Sequence, residues 1–484
     1  MTPNTLASSV DHLAGTMNMS LSTDYSNLLN NIESNTKKYL REVTSTNILT
    51  NPITNPLSNT LANYMERNAA PVVTEEDKDN IVPVVHVPVV EPLVENIANA
   101  GNTGVGNNIN TNPNPKKKIA YAITVTKDGP FLDGALVLGY GIKKIHRHRD
   151  VSVADKASIY NAIPMPDPNS KSKPGSVEYS EYDADLVAFV TPEIVVAKHI
   201  LEQYGWRVLV KDLPVELDEI ENKDYANKMK NSGCCGASEF LKLWAYTLTD
   251  YHRVVHLDMD SIVYNSMDEL YNIDKELLWT GDYNMRGGSP VPPVQGGFLV
   301  IKPSMDTFRE FQGVIRKGDH TGKGWGGTKI GNFWGGQTIQ GILPYFYYSI
   351  HNTSGLEVNR CVYNCMVDNP YYPKSNPPKC LDRTVDCQDC RLQDIEKVKS
   401  AHFTLCQKPW TCNKHDNPRN MRLCEQLHDK WFMLRGEFEE HILGVDVEAR
   451  YASNVNARSK KLIYGGMCNK WGSDGYTKIP IPPS

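Results

Sequence analysis

The 484-residue sequence predicts an α/β fold with a mainly parallel sheet flanked by helices. From residue 118 onward, short apolar runs of strand length alternate with amphipathic runs of helix length. One of the apolar runs, residues 253–257, leads directly into two carboxylates, Asp258 and Asp260. Because strands and helices in alternation imply right-handed crossovers, we expect parallel strands with helices covering both faces of the sheet.

Each predicted element has its own pattern. The first strand is "IAYAITV" and the helix after it is "FLDGALVLGYGIKKIHR"; the next strand and helix are "ADLVAFV" and "EIVVAKHILEQYGW". The series continues with the strand "RVLVKDL", the helix "SEFLKLWAYTLTDYH", the strand at 253–257, the strand "GGFLVIKPS" and the helix "MDTFREFQGVIRKG". In such sheets ligands bind outside the carboxyl ends of the strands, which is where the two carboxylates lie.

Composition divides the chain into three parts. Residues 1–117 are rich in Asn, Thr, Ser and Pro, which predicts a mostly disordered stem. Residues 118–350 form the predicted α/β core, and residues 351–484 form a cysteine-rich part dominated by loops.

Charge and hydropathy exclude two classes of partner. The formal net charge of -5 and the pI near 6.2 give no overall attraction to nucleic acid. No run reaches the roughly 18 apolar residues that cross a bilayer, and the start of the chain lacks a charged-then-apolar signal. We therefore expect a soluble chain, with the alternative that a membrane anchor lies upstream of the sequence given.

The acid pair predicts a metal site. Carboxylates two positions apart on an extended segment point to the same side, where they can hold a hard cation such as Mn²⁺ or Mg²⁺. An aspartate pair is also ordinary turn chemistry, so the context has to decide between the two interpretations. The sequence has neither a G-x-G-x-x-G after its first strand nor a phosphate-binding G-x-x-x-x-G-K-S/T, so a metal is the predicted phosphate ligand.

The order of several segments resembles the glycogenin-type retaining glycosyltransferases of the GT-A fold. The segments are "ITVTKDGPFLDGALVLGYGI", "EFLKLWAYTLTDYHRVVHLDMDSIVYNSMDELY", "VQGGFLVIKPS", "IQGILPYFY" and "HFTLCQKPW", from about Ala120 to Trp410. The resemblance implies transfer of a sugar from a UDP-sugar, with Mn²⁺ (or Mg²⁺) on the diphosphate and with the anomeric configuration retained.

The resemblance also implies roles for individual residues. It places the base and ribose of the UDP-sugar against residues at and after the end of the first strand: Thr124, Val125, Lys127, Asp128 and Phe131. It also places the helix residue Lys242 in contact with the UDP-sugar. The sugar pocket falls on Gln295 and Gly296, where an amide can donate and accept hydrogen bonds to hydroxyls. The metal ligands are Asp258, Asp260 and His402, with Met259 as spacer, and Lys408 pairs with the diphosphate.

One position departs from the family pattern. Relatives commonly carry Asp before Gln-Gly, whereas this chain has Ile339 before Gln340 and Gly341. A front-face reaction needs no protein nucleophile, but a double displacement needs another carboxylate. Asp282 is the nearest candidate by sheet order, and a turn aspartate is the equal alternative. The predicted catalytic residues are thus Lys408, Gln340 and Asp282.

The cysteines indicate an oxidising compartment. Of eleven cysteines, nine lie at or after Cys361, without the two-plus-two spacing of a zinc site. We favour disulfides, and since eleven is odd, at least one thiol stays free or pairs between chains. The expected protein is a retaining hexosyltransferase of the Golgi or secretory lumen that acts on a glycan or protein acceptor. The alternatives are a cytoplasmic self-glucosylating glycogenin and an inactive nucleotide-sugar-binding module.

Overall fold

The structure is a computed structural model. It describes residues 117–147, 159–164, 179–232, 236–372, 379–381, 387–414, 422–457 and 460–482. The predicted stem, residues 1–117, lies outside the described residues except for Lys117.

A seven-stranded sheet forms the centre of the described structure. Its strands are β1 (Lys118–Val125), β2 (Asp183–Val190), β3 (Trp206–Val210), β4 (Arg253–Leu257), β6 (Leu277–Gly281), β7 (Val294–Ile301) and β10 (Gly355–Glu357). Their spatial order is β10-β6-β7-β4-β1-β2-β3. Two short pairs stand outside this sheet: β5 (Ser261–Val263) with β11 (Ser400–His402), and β8 (His320–Thr321) with β9 (Gly324–Trp325).

Helices cover both faces of the sheet. The α-helices are α1 (Phe131–Ile145), α2 (Val196–Gln203), α3 (Lys223–Asn231), α4 (Asp268–Tyr271), α5 (Met305–Lys317), α6 (Ile339–Tyr345), α7 (Arg360–Tyr363), α8 (Arg422–His441) and α9 (Val447–Tyr451). Short 3-10 helices span Ile159–Ala162, Leu217–Glu219, Tyr283–Met285, Cys390–Leu392, Ile395–Lys397, Pro409–Thr411, Tyr464–Gly466 and Ser473–Gly475, and a π-helix spans Phe346–Ile350. The helix expected over residues 238–252 is a 3-10 helix, Ala237–Thr247.

The predicted α/β class with a mainly parallel sheet is confirmed. Strands β4, β1, β2 and β3 are parallel to their neighbours in this half of the sheet, as is β10 to β6. Strand β7 is the exception, since it runs antiparallel to both β4 and β6. The segment between β6 and β7 has only one 3-10 turn, and without a crossover helix the chain returns in the opposite direction.

Alternation along β1 supplies both faces of the core. Ile119, Tyr121 and Ile123 belong to one buried cluster, whereas Ala120 and Ala122 belong to the cluster on the other face. All five residues are almost completely buried, as expected for a central strand.

The residues after 351 join the core through strand pairing. Strand β10 pairs with β6 at the sheet edge, and β11 pairs with β5 beside the acid pair. Four disulfides cross-link this part of the chain: Cys361–Cys390, Cys380–Cys387, Cys406–Cys424 and Cys412–Cys468. The predicted disulfides are therefore confirmed.

The remaining thiols fit the odd cysteine count. Cys365 is free and buried, and burial raises the pKa of its thiol to about 12. Cys234 and Cys235 lie outside the described residues. Within the described part of the chain, no helix has both the length and the apolar character needed to cross a membrane.

Candidate metal and donor site

The acid pair lies in the turn between two strands. Strand β4 ends at Leu257, and the turn closes where Ser261 N donates to Asp258 O at 3.0 Å. Asp258 N also faces Gly297 O of the neighbouring strand β7, at 3.3 Å. These backbone contacts place both aspartates at the carboxyl edge of β4, as the sequence predicts.

Pairing of two short strands brings His402 to the acid pair. In the antiparallel pair of β5 and β11, His402 is opposite Ser261. Phe403 N donates to Asp260 O at 2.8 Å, which extends the pairing by one residue. His402 Nε2 consequently lies 3.2 Å from Asp260 Oδ1 and 3.8 Å from Asp258 Oδ2.

These three side chains fit a divalent cation. One ligand atom from each of Asp258, Asp260 and His402 lies within 4.8 Å of the others. The donor set of two carboxylates and one imidazole suits Mn²⁺ and also admits Mg²⁺. Among the described residues, His402 Nδ1 is buried without a hydrogen-bond partner, and Nε2 is the ring nitrogen that faces both aspartates.

Gly297 keeps the space beside these ligands clear. A Cβ at Gly297 would lie 2.4 Å from His402 Cε1 and 2.9 Å from Asp258 Oδ2. Any side chain at Gly297 would therefore displace the imidazole or the carboxylate.

Two ammonium groups contact the two aspartates from opposite sides. Lys408 Nζ lies 2.5 Å from Asp260 Oδ2 and donates to Phe403 O at 2.8 Å. Lys242 Nζ lies 2.9 Å from Asp258 Oδ1, at the other end of the pair. The site therefore holds positive charge on both flanks of the acid pair, an arrangement that can stabilise a bound anion.

The ionic contacts set the charge states of the cluster. Burial by itself raises the pKa of Asp260, but His402 and Lys408 outweigh burial and hold that pKa well below its usual range. Burial acts to lower the pKa of His402, yet Asp260 and Asp258 raise it above its usual value.

Similar competition acts on the other side of the pair. Burial lowers the pKa of Lys242, but Asp258 and Glu239 together raise it above the ordinary lysine value. Burial, followed by the charge of Lys242, lowers the pKa of His256 to about 3, so this neighbouring imidazole is neutral.

The predicted base and ribose contacts lie at the end of β1, next to β4 in the sheet. Thr124 Oγ1 is 2.9 Å from His256 Nε2, and Val125 is buried. Lys127 and Asp128 are exposed in the loop before α1. Asp128 Oδ1 accepts a hydrogen bond from the Ala197 amide at 2.8 Å, so its carboxylate lies at the start of α2 instead of at the acid pair.

Phe131 packs helix α1 against the loop that carries Lys408 and Trp410. Its ring packs edge-on against Trp410, with 5.2 Å between the ring centroids. A Cβ at Gly134 would lie 2.4 Å from Met259 O and 2.8 Å from the Trp410 ring. Close approach of α1 at this glycine thus holds the spacer of the acid pair and the loop that carries Lys408.

The predicted sugar-pocket residues lie on β7. Gln295 Oε1 accepts from Gly297 N at 2.5 Å, so the glutamine oxygen is engaged with the backbone. A Cβ on Gly296 would lie 3.4 Å from Lys242 Nζ and 3.3 Å from Ile339 Cγ2. Gly296 thus lies between Lys242 and Ile339.

Asp282 lies beside Gln340, which is also a predicted catalytic residue. Gln340 Nε2 donates to Asp282 Oδ2 at 3.3 Å. Burial, then the nearby Asp368, raises the pKa of Asp282 to about 6. The structure therefore brings Asp282 and Gln340 together at the carboxyl end of β6.

Three residues of the site are absent from the sequence prediction: Glu239, Gly297 and Gly134. Glu239 Oε2 lies 3.0 Å from Lys242 Nζ, and its spacing of three residues on a helix is a recognisable signal. The two glycines carry no such signal, because their importance depends on distant backbone.

Comparison with known proteins finds glycosyltransferases. No protein-family model matches the chain. A curated protein of Arabidopsis thaliana named "Putative glucuronosyltransferase PGSIP7" is 27% identical over 136 residues, which are 28% of this chain and 24% of that protein. The matched stretch is therefore about a quarter of the relative's length.

Solved structures with similar coordinates include the WbbM bifunctional glycosyltransferase, at 14% identity and a TM-score of 0.38, covering 69% of this chain and 52% of that chain. The galactosyltransferase LgtC, in complex with donor and acceptor sugar analogs, has 12% identity and a TM-score of 0.34, covering 66% and 95%. Mouse xyloside xylosyltransferase 1 has 10% identity and a TM-score of 0.34, covering 59% and 97%. Each is a protein that this chain resembles, and none of these is named a glycogenin.

Proposed function

We propose that this chain is a glycosyltransferase of GT-A type that moves a hexose from a UDP-sugar to a glycan or protein acceptor. The observation that carries the proposal is the convergence of Asp258, Asp260 and His402 with Lys242 and Lys408 at one edge of the sheet. Separate segments of the chain supply these side chains, and turn chemistry at the acid pair does not require the imidazole or the second lysine.

The chemistry of the site suits a departing nucleoside diphosphate. When bound, a divalent ion, Mn²⁺ or Mg²⁺, would supply fixed positive charge to the diphosphate through Asp258, Asp260 and His402. Lys408 holds an ammonium group beside Asp260, where it can stabilise the negative charge that grows as the sugar bond breaks. The neighbouring residues Thr124, Val125, Lys127, Asp128 and Phe131 are proposed to hold the base and ribose.

We propose that the configuration of the sugar is retained. Ile339 is apolar and fully buried, so it offers no carboxylate beside Gly296. A front-face reaction, in which the leaving phosphate oxygen takes the acceptor's proton, needs no protein nucleophile. Asp282 is the alternative carboxylate for a double displacement, and Gln340 would orient it through their hydrogen bond.

The disulfides favour a secretory-pathway lumen as the compartment. Four bridges in one part of the chain form and persist in oxidising surroundings. This observation argues against the cytoplasmic self-glucosylating alternative. The second alternative, an inactive nucleotide-sugar-binding module, would retain UDP binding without turnover.

A donor screen tests the proposal. Purified protein is incubated with individual UDP-sugars and Mn²⁺, and released UDP is measured with and without chelator. We expect chelator-sensitive release of UDP from at least one donor, and we expect Lys408→Ala to abolish most of it. Tight Mn²⁺-dependent UDP binding with no release from any donor or acceptor mixture would instead identify a binding module. An increase in the mass of the protein itself would identify self-glucosylation.

A further inference from the structure

We infer that Glu239 restricts the donor to a neutral sugar and excludes a uronic acid. This inference rests on the proposed function, because it concerns the sugar of the same UDP-sugar donor. It follows from the hydrogen-bond partners of the three N–H groups of Lys242.

The three donors of Lys242 are all engaged. An ammonium group has three N–H donors and no acceptor. Lys242 Nζ contacts Glu239 Oε2 at 3.0 Å, Asp258 Oδ1 at 2.9 Å and Gly296 O at 3.3 Å. Its side chain is only 6% exposed, so water offers no substitute for these partners.

Glu239 keeps Lys242 neutralised even when the aspartates serve another ligand. If Asp258 rotates to bind a metal cation, Glu239 and Gly296 still accept hydrogen bonds from two of the three N–H groups of Lys242. The N–H group that Asp258 releases points towards Asp258, and therefore towards the proposed diphosphate position instead of the sugar. Lys242 therefore contributes phosphate binding without offering a cation to a carboxylate on the sugar.

The surface over Gly296 has the chemistry of a neutral sugar site. A Cβ on Gly296 would lie 3.3 Å from Ile339, 3.4 Å from Lys242 Nζ and 4.0 Å from Glu239 Oε2. The space that this missing side chain leaves is thus bordered by an apolar group, a neutralised ammonium and a carboxylate. Glu239 Oε1 has no hydrogen-bond partner among the residues that the structure describes, and the side chain is 28% exposed. A sugar hydroxyl can donate to this oxygen.

A uronic acid would bring a second carboxylate to the same place. Two unit charges about 4 Å apart repel strongly in partly buried surroundings, which corresponds to about 10²-fold to 10³-fold in affinity. A neutral hexose carries a hydroxymethyl group at that position and avoids the repulsion. The inferred sugar specificity differs from that in the name of the Arabidopsis thaliana relative, a putative glucuronosyltransferase.

The experiment compares two UDP-sugars that carry a neutral hexose with one that carries a uronic acid. UDP release from UDP-glucose, UDP-galactose and UDP-glucuronic acid is measured for the unaltered chain, for Glu239→Gln and for the control Glu202→Gln. Glu202 is half exposed and pairs only loosely with Lys198, at 3.9 Å, so its variant removes the same charge away from the site. Calorimetry of the displacement of UDP by each UDP-sugar measures the preference for a neutral sugar without requiring turnover.

We expect the unaltered chain to favour a neutral donor by about 10²-fold or more in kcat/KM and in displacement affinity. Glu239→Gln should narrow this ratio at least about tenfold, because the neutral amide no longer neutralises Lys242 and no longer repels the uronate. Glu202→Gln should leave the ratio unchanged.

A preference of the unaltered chain for UDP-glucuronic acid, or an unchanged ratio in Glu239→Gln, overturns the inference while the proposed function stands. Absence of both UDP binding and donor release overturns the proposed function, and the inference with it. If the chain binds UDP-sugars without turnover, the displacement ratios alone decide.

Discussion

His402 ends strand β11 and Lys408 follows six residues later, but the contacts of the two side chains differ. His402 Nε2 faces both aspartates, whereas Lys408 Nζ contacts Asp260 and a backbone carbonyl. In the proposed function, the imidazole would offer a nitrogen to a cation, and the ammonium would offer positive charge to a phosphate.

Loss of each side chain should therefore give a distinct kinetic result. His402→Ala should weaken retention of Mn²⁺ and be partly rescued by excess metal, because the two carboxylates remain. Lys408→Ala should lower kcat by about 10²-fold to 10³-fold without rescue. Donor turnover measured over a Mn²⁺ titration distinguishes them. Near-normal kcat in Lys408→Ala would show that the loop only packs.

Asp282 should make the protein less stable at neutral pH than its amide variant. Because burial and Asp368 raise the pKa of Asp282 to about 6, the folded chain binds a proton more readily there than the unfolded chain. Stability from this group is therefore greatest below the unfolded pKa and declines as pH rises towards about 6.

Asp282→Asn removes this cost while keeping an oxygen that can accept from Gln340. We expect the variant to gain about 3 kcal/mol in free energy of unfolding at pH 8 and to lose that advantage below about pH 4. Urea unfolding across this pH range measures it. Equal stabilities at both pH values would show that Asp282 is not a strained buried acid.

At the scale of elements, the pairing of β5 with β11 brings His402 to Asp258 and Asp260. Sequence spacing predicts the acid pair and its strand, because buried strands and carboxylates are both visible in the sequence. The resemblance supplies His402 and Lys408. Neither source predicts the antiparallel direction of β7 or the partners of the cysteines, because both depend on contacts between distant segments.

Gly297 on β7 tests how tightly the elements fit together at the ligands. Gly297→Ala would place its Cβ 2.4 Å from His402 Cε1, so the imidazole must move. We expect Mn²⁺ affinity to fall by about tenfold or more. The control is Gly313→Ala in α5, where nothing lies within 4 Å of the added Cβ, and which should preserve affinity. Unchanged Mn²⁺ binding in both variants, by calorimetry, would place the ligands elsewhere.

At the scale of the whole described molecule, the C-terminal residues hold the site in place. Helix α8 carries Cys424, which is bonded to Cys406 between His402 and Lys408. Cys412, just beyond Trp410, is bonded to Cys468 near the end of the described chain. The segment from His402 to Lys408 is therefore tied to α8 by one covalent link within it, and a second link follows it at Cys412; both links restrict its freedom.

The disulfides should be present in protein from an oxidising compartment. Mass spectrometry of non-reduced peptides should find the four described pairs, with Cys365 as a free thiol. Protein treated with reductant before digestion serves as the control. Free thiols at all these positions, or stoichiometric zinc, would contradict both the pairing and the proposed lumenal location.

The most direct test of the metal-dependent donor site is the effect of Asp260→Asn on UDP binding. Calorimetry measures UDP affinity with Mn²⁺ and with chelator, for the unaltered chain, for Asp260→Asn and for the control Asp274→Asn, whose side chain is 91% exposed. We predict Mn²⁺-dependent UDP binding that Asp260→Asn removes while the thermal unfolding profile keeps its cooperativity, and that Asp274→Asn preserves. UDP affinity that is the same in Asp260→Asn, or that does not respond to chelator in the unaltered chain, would contradict the metal site and the function proposed for it.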